Sequence, residues 1–286
     1  MENKTADKPT EESNWMGPSG ERWLANADRF EQMLRPIGHA LIDHAALRPG
    51  EKVVDIGCGA GEISLELARR VGPTGQVTGL DISPPLVAEA NRRAAAIVPK
   101  LPVQFELGDA ARVSVSTAPV DCLVSRFGVM FFSEPYPAFA HLHTLLRPGG
   151  RFVFACWAAL KENPWMGEVR NVFSEHFDLP ALPPRAPGPF AFQEPDYVRD
   201  LLGSAKFNNV EIAPWKGNIP VGGPGNDPKA ATDFMMMTVS IAKVVADAPP
   251  EVQDLVRQKL CDRLNAWMTP AGVHMPASVW LVSAVA

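Results

Sequence analysis

Three glycines on alternate positions, Gly57, Gly59 and Gly61, follow directly on an apolar run that ends in Asp55 and Ile56. Glycines in such a row leave the main chain open to close approach. Two further acids repeat the placement of Asp55: Asp81 closes "VTGLD", and Asp109 stands in "LGDA". Peptide N–H groups at the start of a helix hold an anion. Carboxylates accept hydrogen bonds from hydroxyl, amino or ammonium groups. The set therefore suits a ligand that carries groups of both kinds.

A dinucleotide fingerprint reads G-x-G-x-x-G, and the third required position here is Glu62. A pyrophosphate needs that glycine for helix packing and gains nothing from an acid at the strand end. An amino-acid zwitterion uses both features: its carboxylate meets the N–H groups and its ammonium lies near Asp55, directly or through water. Asp81, 20 residues past Gly61, is placed to accept two ribose hydroxyls. As a helix-start acid it would be redundant, because Ser83 is the better N-cap. Asp109 with the Ala110 backbone can pair with the exocyclic amine of adenine, or serve only as a turn residue after Gly108. A tight structural turn would explain the glycines alone, but not three acids on successive strand ends. A ligand that combines these groups is S-adenosylmethionine (SAM), and it is the one expected here.

The elements that must position these residues alternate. Apolar residues Phe30, Met33, Leu34, Ile37 and Leu41 recur at helical spacing between Trp23 and Leu47, with Pro36 expected to break or kink the run. Strands are expected at 52–56, in "VTGL", "VQFEL", "VDCLVS" and "RFVFACW". Helices are expected at 63–71, from Pro84 to about Val98, and over roughly 136–146. Nearly continuous apolar strands alternating with helices imply a parallel sheet covered on both faces. Beyond Trp157 lie a Pro-rich loop, a strand "NVEIAPW", an apolar helix over 230–246, a helix over 250–268 and a final strand "ASVWLVSAVA". The fold class is α/β, a doubly wound, mostly parallel seven-stranded Rossmann-like sheet with helical cap or lid segments. Its expected divisions are a disordered or lid-like tail (1–20), a helical segment (21–50), the ligand-binding core (51–157), a substrate-side cover with one core strand (158–250) and a closing helix and strand (251–286).

Composition narrows the classes. The 286 residues are 46% hydrophobic and 21% charged, with a formal net charge of −5. No basic cluster exceeds a pair, which argues against a nucleic-acid partner. No apolar run reaches membrane-span length, and the polar start "MENKTADKPTEESN" has no apolar stretch of a signal peptide. Cys58, Cys122, Cys156 and Cys261 are widely spaced without a C-x-x-C. They read as reduced packing thiols of a cytoplasmic protein, and no metal site is indicated.

The ordered run "VVDIGCGAG … VTGLDIS … LGDA … VDCLVSRFGVMFF … LRPGGRFVFACW" resembles class I SAM-dependent methyltransferases, in the branch grouped with ubiquinone/menaquinone-biosynthesis (type 11) enzymes. The match covers about 50–157. The flanks "NWMGPSGERW", "ENPW" and "ASVWLV" resemble a bacterial subgroup of that branch. The resemblance implies SAM across the ends of strands one to four, with S-adenosylhomocysteine (SAH) as product. It places Asp55, Gly57, Gly59 and Gly61 in the first motif, with Cys58 in a variable slot. Asp81 would bind ribose, Ile82 pack on adenine, and Asp109 and Ala110 hold the adenine edge. Ser125 and Arg126 would lie beside the methionyl group and the acceptor.

Arg126 can orient an anionic group or form a salt bridge across strand ends. His39, His44, His141, His143, His176 and His274 offer no compelling general base, and none is assigned; His141 and His143 are expected on the solvent side of their helix. Trp15, Trp23, Met130, Trp157, Trp165, Phe234 and Met237 are candidates for an apolar substrate pocket under a lid. For most of them core packing is the plainer reading, and the 230–246 helix also suits a dimer interface. A monomer or homodimer acting on a small molecule is expected. Quinone-ring C-methylation and a non-catalytic SAM-binding protein are the alternatives.

Overall fold

The computed structural model describes residues 11–179, 181–238 and 242–286. Three helices lead the chain, α1 (Glu11–Met16), α2 (Pro18–Ala25) and α3 (Ala27–Ala45). The alternating core follows as β1 (Lys52–Ile56), α4 (Glu62–Val71), β2 (Gln76–Asp81), α5 (Pro84–Ala95), β3 (Val103–Leu107), β4 (Val120–Arg126), α6 (Pro135–Leu145) and β5 (Leu146–Trp157). Then come α7 (Pro164–Ser174), α8 (Pro195–Ser204), β6 (Asn208–Pro220), α9 (Pro228–Thr238), α10 (Ala242–Ala246), α11 (Pro250–Asn265), β7 (Met268–Thr269) and β8 (Gly272–Val285).

The sheet runs β3-β2-β1-β4-β5-β8-β6, and the two-residue β7 pairs with β8 off this path. Strands β1 to β5 are mutually parallel, while β8 is antiparallel to both β5 and β6. The seven-stranded path is therefore the expected one, with β7 as an addition. Successive residues of β1, β2 and β4 are buried. Neighbouring side chains point to opposite faces, so both faces are covered. Strand order reverses between β1 and β4, and at such a reversal a crevice opens beyond the carboxyl ends. Pairing of β5 with β8 stops at Trp157↔Val279, but β6 and β8 stay paired out to Pro220↔His274. The two strands thus overhang that end of the sheet as a wall.

Several local expectations change. Pro36 lies inside α3, which runs unbroken past it. Met33, Leu34, Ile37, Leu41 and Ile42 are buried there. At about 1.5–3 kcal/mol for each buried large side chain, they outweigh the ~3 kcal/mol cost of an interior proline. The tail expected to be disordered or lid-like is helical from Glu11, where Trp15 packs edge-on to Phe131; residues 1–10 lie outside the described residues. The helix expected over 230–246 is described as α9 and α10, with Val239 and Ile241 outside the described residues. His141 and His143 are half-buried rather than on the solvent side. His141 Nε2 lies 2.9 Å from the Val113 carbonyl, and the His143 ring meets Phe207 edge-on at 4.9 Å.

Candidate cofactor and substrate site

Gly57, Gly59 and Gly61 have φ of 69°, 56° and 89°, the left-handed region that glycine enters without strain. Their bareness has three different causes. A Cβ on Gly57 would stand 2.8 Å from the Gly128 Cα, and one on Gly61 would stand 2.9 Å from the Phe105 ring. Those two glycines make room for the protein's own packing. A Cβ on Gly59 would have only Trp23 Nε1 within 4 Å, at 3.7 Å. Gly59 is the position of the turn whose open side remains for a ligand.

The amides of the turn divide in the same way. Gly57 and Cys58 donate to the Leu80 carbonyl, and Gly61 donates to the Cys58 carbonyl. Gly59 N–H donates to Asp81 Oδ2 at 2.8 Å. Among the described residues no acceptor is recorded for the amides of Ala60, Glu62 and Ile63. Free donors at a helix start form an anion site. The residues present fit the carboxylate end of SAM.

Asp81 ends β2 and is buried; its other oxygen accepts from Ser83 N–H at 2.9 Å. Burial raises its pKa, against the opposing pull of these amides. Ser83 precedes α5 as expected, but its side chain makes no capping hydrogen bond. Its hydroxyl is buried without a partner among the described residues, where α2 crosses: a Cβ on Gly20 would crowd Ser83 Oγ. Asp55 is buried and accepts from Ser64 Oγ at 2.6 Å. Desolvation raises its pKa to about 6, opposed by the Ser64 hydrogen bond and the Arg126 charge. Cys58 is buried, and desolvation with the charges of Asp81 and Asp55 pushes its thiol pKa well up. It is a poor nucleophile there.

Ile82 is half-buried beside Asp81, and Ala110 is buried. Asp109 Oδ1 accepts from the Ala111 amide at 2.9 Å, and Oδ2 lies 3.4 Å from Arg112. Ser125 Oγ donates to the Ile56 carbonyl and accepts from Gly128 N–H, tying β1 to the loop after β4. Arg126 is ion-paired with Glu62 at 2.8 Å, and Arg35 reaches the same carboxylate at 3.4 Å. Of the two sequence readings of Arg126, the salt bridge describes its position.

The aromatic candidates form two groups. In the first, Trp15 is edge-on to Phe131 and Trp23, Trp23 stacks on Phe30 at 3.9 Å, and Phe30 meets Phe234 at 5.0 Å. In the second, Trp157 stacks on Phe127 at 4.3 Å and contacts Trp165 at 5.0 Å. Met130 is buried, whereas Met237 is 51% exposed and does not share the inward face of Phe234. The face of α9 that packs inward carries Ala231, Thr232, Phe234 and Met235, so Met237 turns away. Phe30, Ser64, Phe105 and Phe127 belong to the site's framework without having been singled out in the sequence. Phe105 sits in a clean strand alternation, and Phe30 was legible only as one member of a helical stripe. No set of three metal-ligating side chains occurs among the described residues, nor any helix long and apolar enough to cross a membrane.

The family described as "Methyltransferase domain" matches residues 53–150. The chain is 26% identical over 247 residues to an uncharacterised protein of Mycobacterium tuberculosis, covering 83% of this chain and 85% of that protein. It is 34% identical over 124 residues to nocamycin O-methyltransferase of Saccharothrix syringae, a match that spans 42% of each chain and so less than half of that relative. In fold it is similar to phosphoethanolamine N-methyltransferase 2 of Haemonchus contortus, solved with S-adenosyl-L-methionine. The TM-score is 0.56 at 15% identity, over 98% of this chain and 60% of that one.

Proposed function

We propose that this chain, whose residues 53–150 match the methyltransferase-domain family, is a class I SAM-dependent enzyme that transfers a methyl group to O, N, S or C of a small, partly apolar metabolite. The observation that carries this reading is the open side of Gly59, beside amides that meet no acceptor among the described residues and next to the Asp81 carboxylate. Bound SAM supplies an already activated methyl group and leaves as SAH. The turn amides hold its carboxylate, with Asp55 near its ammonium. Asp81 accepts from the ribose hydroxyls, Ile82 packs on adenine, and Asp109 with Ala110 reads the adenine edge. Ser125 fixes the loop that flanks the methyl group.

The rest of the chain aligns the acceptor and excludes water. Alignment alone contributes about 7–11 kcal/mol to the barrier reduction. The ring cluster of Trp15, Trp23 and Phe131 is assigned to the cover of the crevice between β1 and β4, and that of Trp157, Phe127 and Trp165 to the wall at the end of β5; their mutual ring contacts support this assignment. Arg126 is engaged by Glu62, which favours an acceptor without a carboxylate to be paired there. No side chain is assigned as general base; an acceptor of low pKa needs none. Buried free thiols at Cys58, Cys122 and Cys156 suit a reducing, cytoplasmic setting.

Calorimetric titration with SAM and SAH tests cofactor binding, and release of SAH with a panel of phenols, amines and thiols tests transfer. Binding with turnover of one acceptor class is expected. Absence of binding at millimolar concentration overturns the reading, and binding without turnover of any acceptor supports a non-catalytic SAM-binding protein instead.

A further inference from the structure

The N-terminal arm brings one polar group to the glycine turn. Trp23 lies on α2, and its Nε1 is the atom nearest the open side of Gly59, 3.7 Å from where a Cβ would stand. The ring is held in place: it stacks on Phe30 with an interplanar angle of 5°, and Trp15 meets it edge-on. Trp23 and Leu24 also pack on a small apolar cluster of Ala27, Ala60 and Leu86. Trp23 is half-buried, and an indole N–H that a ligand covers needs a hydrogen-bond partner. Trp165 donates to Asn163 Oδ1 and Trp280 to the Gln193 carbonyl. Among the described residues no acceptor is recorded for the Trp23 N–H.

The amides of Ala60, Glu62 and Ile63 are likewise without recorded acceptors on the same turn. The indole donor thus stands beside the same turn that carries these backbone donors. Their common complement is an anion with at least two acceptor oxygens. The neighbouring acids, Asp55 and Asp81, are already bonded to Ser64 Oγ and to the Gly59 and Ser83 amides.

We propose that Trp23 is a cofactor-binding residue, whose indole N–H donates to the methionyl carboxylate of SAM. The assignment rests on the cofactor reading above and moves Trp23 from the substrate pocket to the cofactor. It also gives the arm a chemical role: α2 completes the anion site that the glycine turn begins.

The test compares SAH with 5′-methylthioadenosine, which keeps the nucleoside and lacks the amino-acid end. Trp23→Phe retains the ring and removes the N–H. Calorimetry is expected to show SAH affinity falling about tenfold or more, as for a hydrogen bond to a charged group, with 5′-methylthioadenosine affinity unchanged within about twofold. Trp23→Ala, which also removes the cover, should weaken both. Equal losses for the two ligands in Trp23→Phe, or no loss for either, overturn the assignment. If the wild-type protein binds neither ligand, the cofactor reading fails and the assignment fails with it. Circular dichroism of each variant identifies unfolding, and native Trp23→Phe protein that holds SAH as tightly as wild type counts against the donor role.

Discussion

Gly57 and Gly128 meet backbone to backbone. A Cβ on Gly57 would lie 2.8 Å from the Gly128 Cα, and one on Gly128 would lie 2.9 Å from the Gly57 Cα and 2.6 Å from the Ile56 carbonyl oxygen. The contact joins the tips of β1 and β4, the strands between which the sheet order reverses. It brings the glycine turn and the Ser125–Arg126 segment into one site.

Gly57→Ala and Gly59→Ala therefore separate packing from binding. Gly57→Ala combines a left-handed residue with overpacking against backbone, and should cost about 2–4 kcal/mol in urea denaturation. Gly59→Ala meets only the Trp23 indole, so its cost should be the conformational ~1–2 kcal/mol. It should nevertheless weaken SAM binding at least ~10-fold, because the methyl group occupies the open side. Equal stability losses with unchanged affinity would contradict the division.

Asp81→Ala should reduce SAM affinity at least ~10-fold while the sheet remains folded. Two amides, those of Gly59 and Ser83, lose their acceptor in that variant. A stability loss of about 1–3 kcal/mol should accompany the binding loss. Calorimetry and thermal melting measure the two effects on one sample, and retained affinity would remove the ribose assignment.

The pKa of Asp55, raised to about 6 by burial, makes a signed pH prediction. Above that pH the carboxylate is ionised and attracts the cofactor's ammonium; below it the attraction fades. SAM affinity should rise between about pH 5 and pH 7 and then level off, with proton release on binding near pH 6. Stability runs the other way. Because the folded pKa exceeds the ordinary 3.8, ionisation opposes folding, and this contribution is fully present above pH 6. Asp55→Asn should accordingly stabilise the protein by about 1–3 kcal/mol at pH 8 while weakening SAM. Denaturation and titration at pH 5 and pH 8 check both signs.

Arg126 and Glu62 form a partly buried ion pair. Removing one partner leaves the other with an uncompensated desolvation cost. Arg126→Met should cost about 1–3 kcal/mol, and Glu62→Gln in the same chain should recover part of it. A variant of unchanged stability with a raised acceptor KM would instead return Arg126 to the substrate.

The primary sequence settled the frame of this protein. The alternation of apolar strands and helices specifies a covered parallel sheet, because such strands have nowhere else to bury both faces. The acids Asp55, Asp81 and Asp109 fall at or just past strand ends by spacing alone. Local periodicity carries that information, so no distant contact is needed to read it. It also placed the strand "NVEIAPW" and the closing strand, although their true extents, Asn208–Pro220 and Gly272–Val285, depend on pairing with each other.

Only the tertiary structure decided what each glycine is for. Gly57 yields to Gly128 and Gly61 to Phe105, partners 71 and 44 residues away along the chain, and nothing in the local pattern around a glycine names its distant neighbour. The same holds for the charge of Arg126, committed to Glu62, and for the Ser64 hydroxyl on Asp55. It holds as well for Met237, a pocket candidate together with Phe234 in the sequence, which the packing of α9 turned outward. Periodicity sets which residues share a face, whereas the direction that face takes, and the group waiting opposite, depend on how the elements pack together.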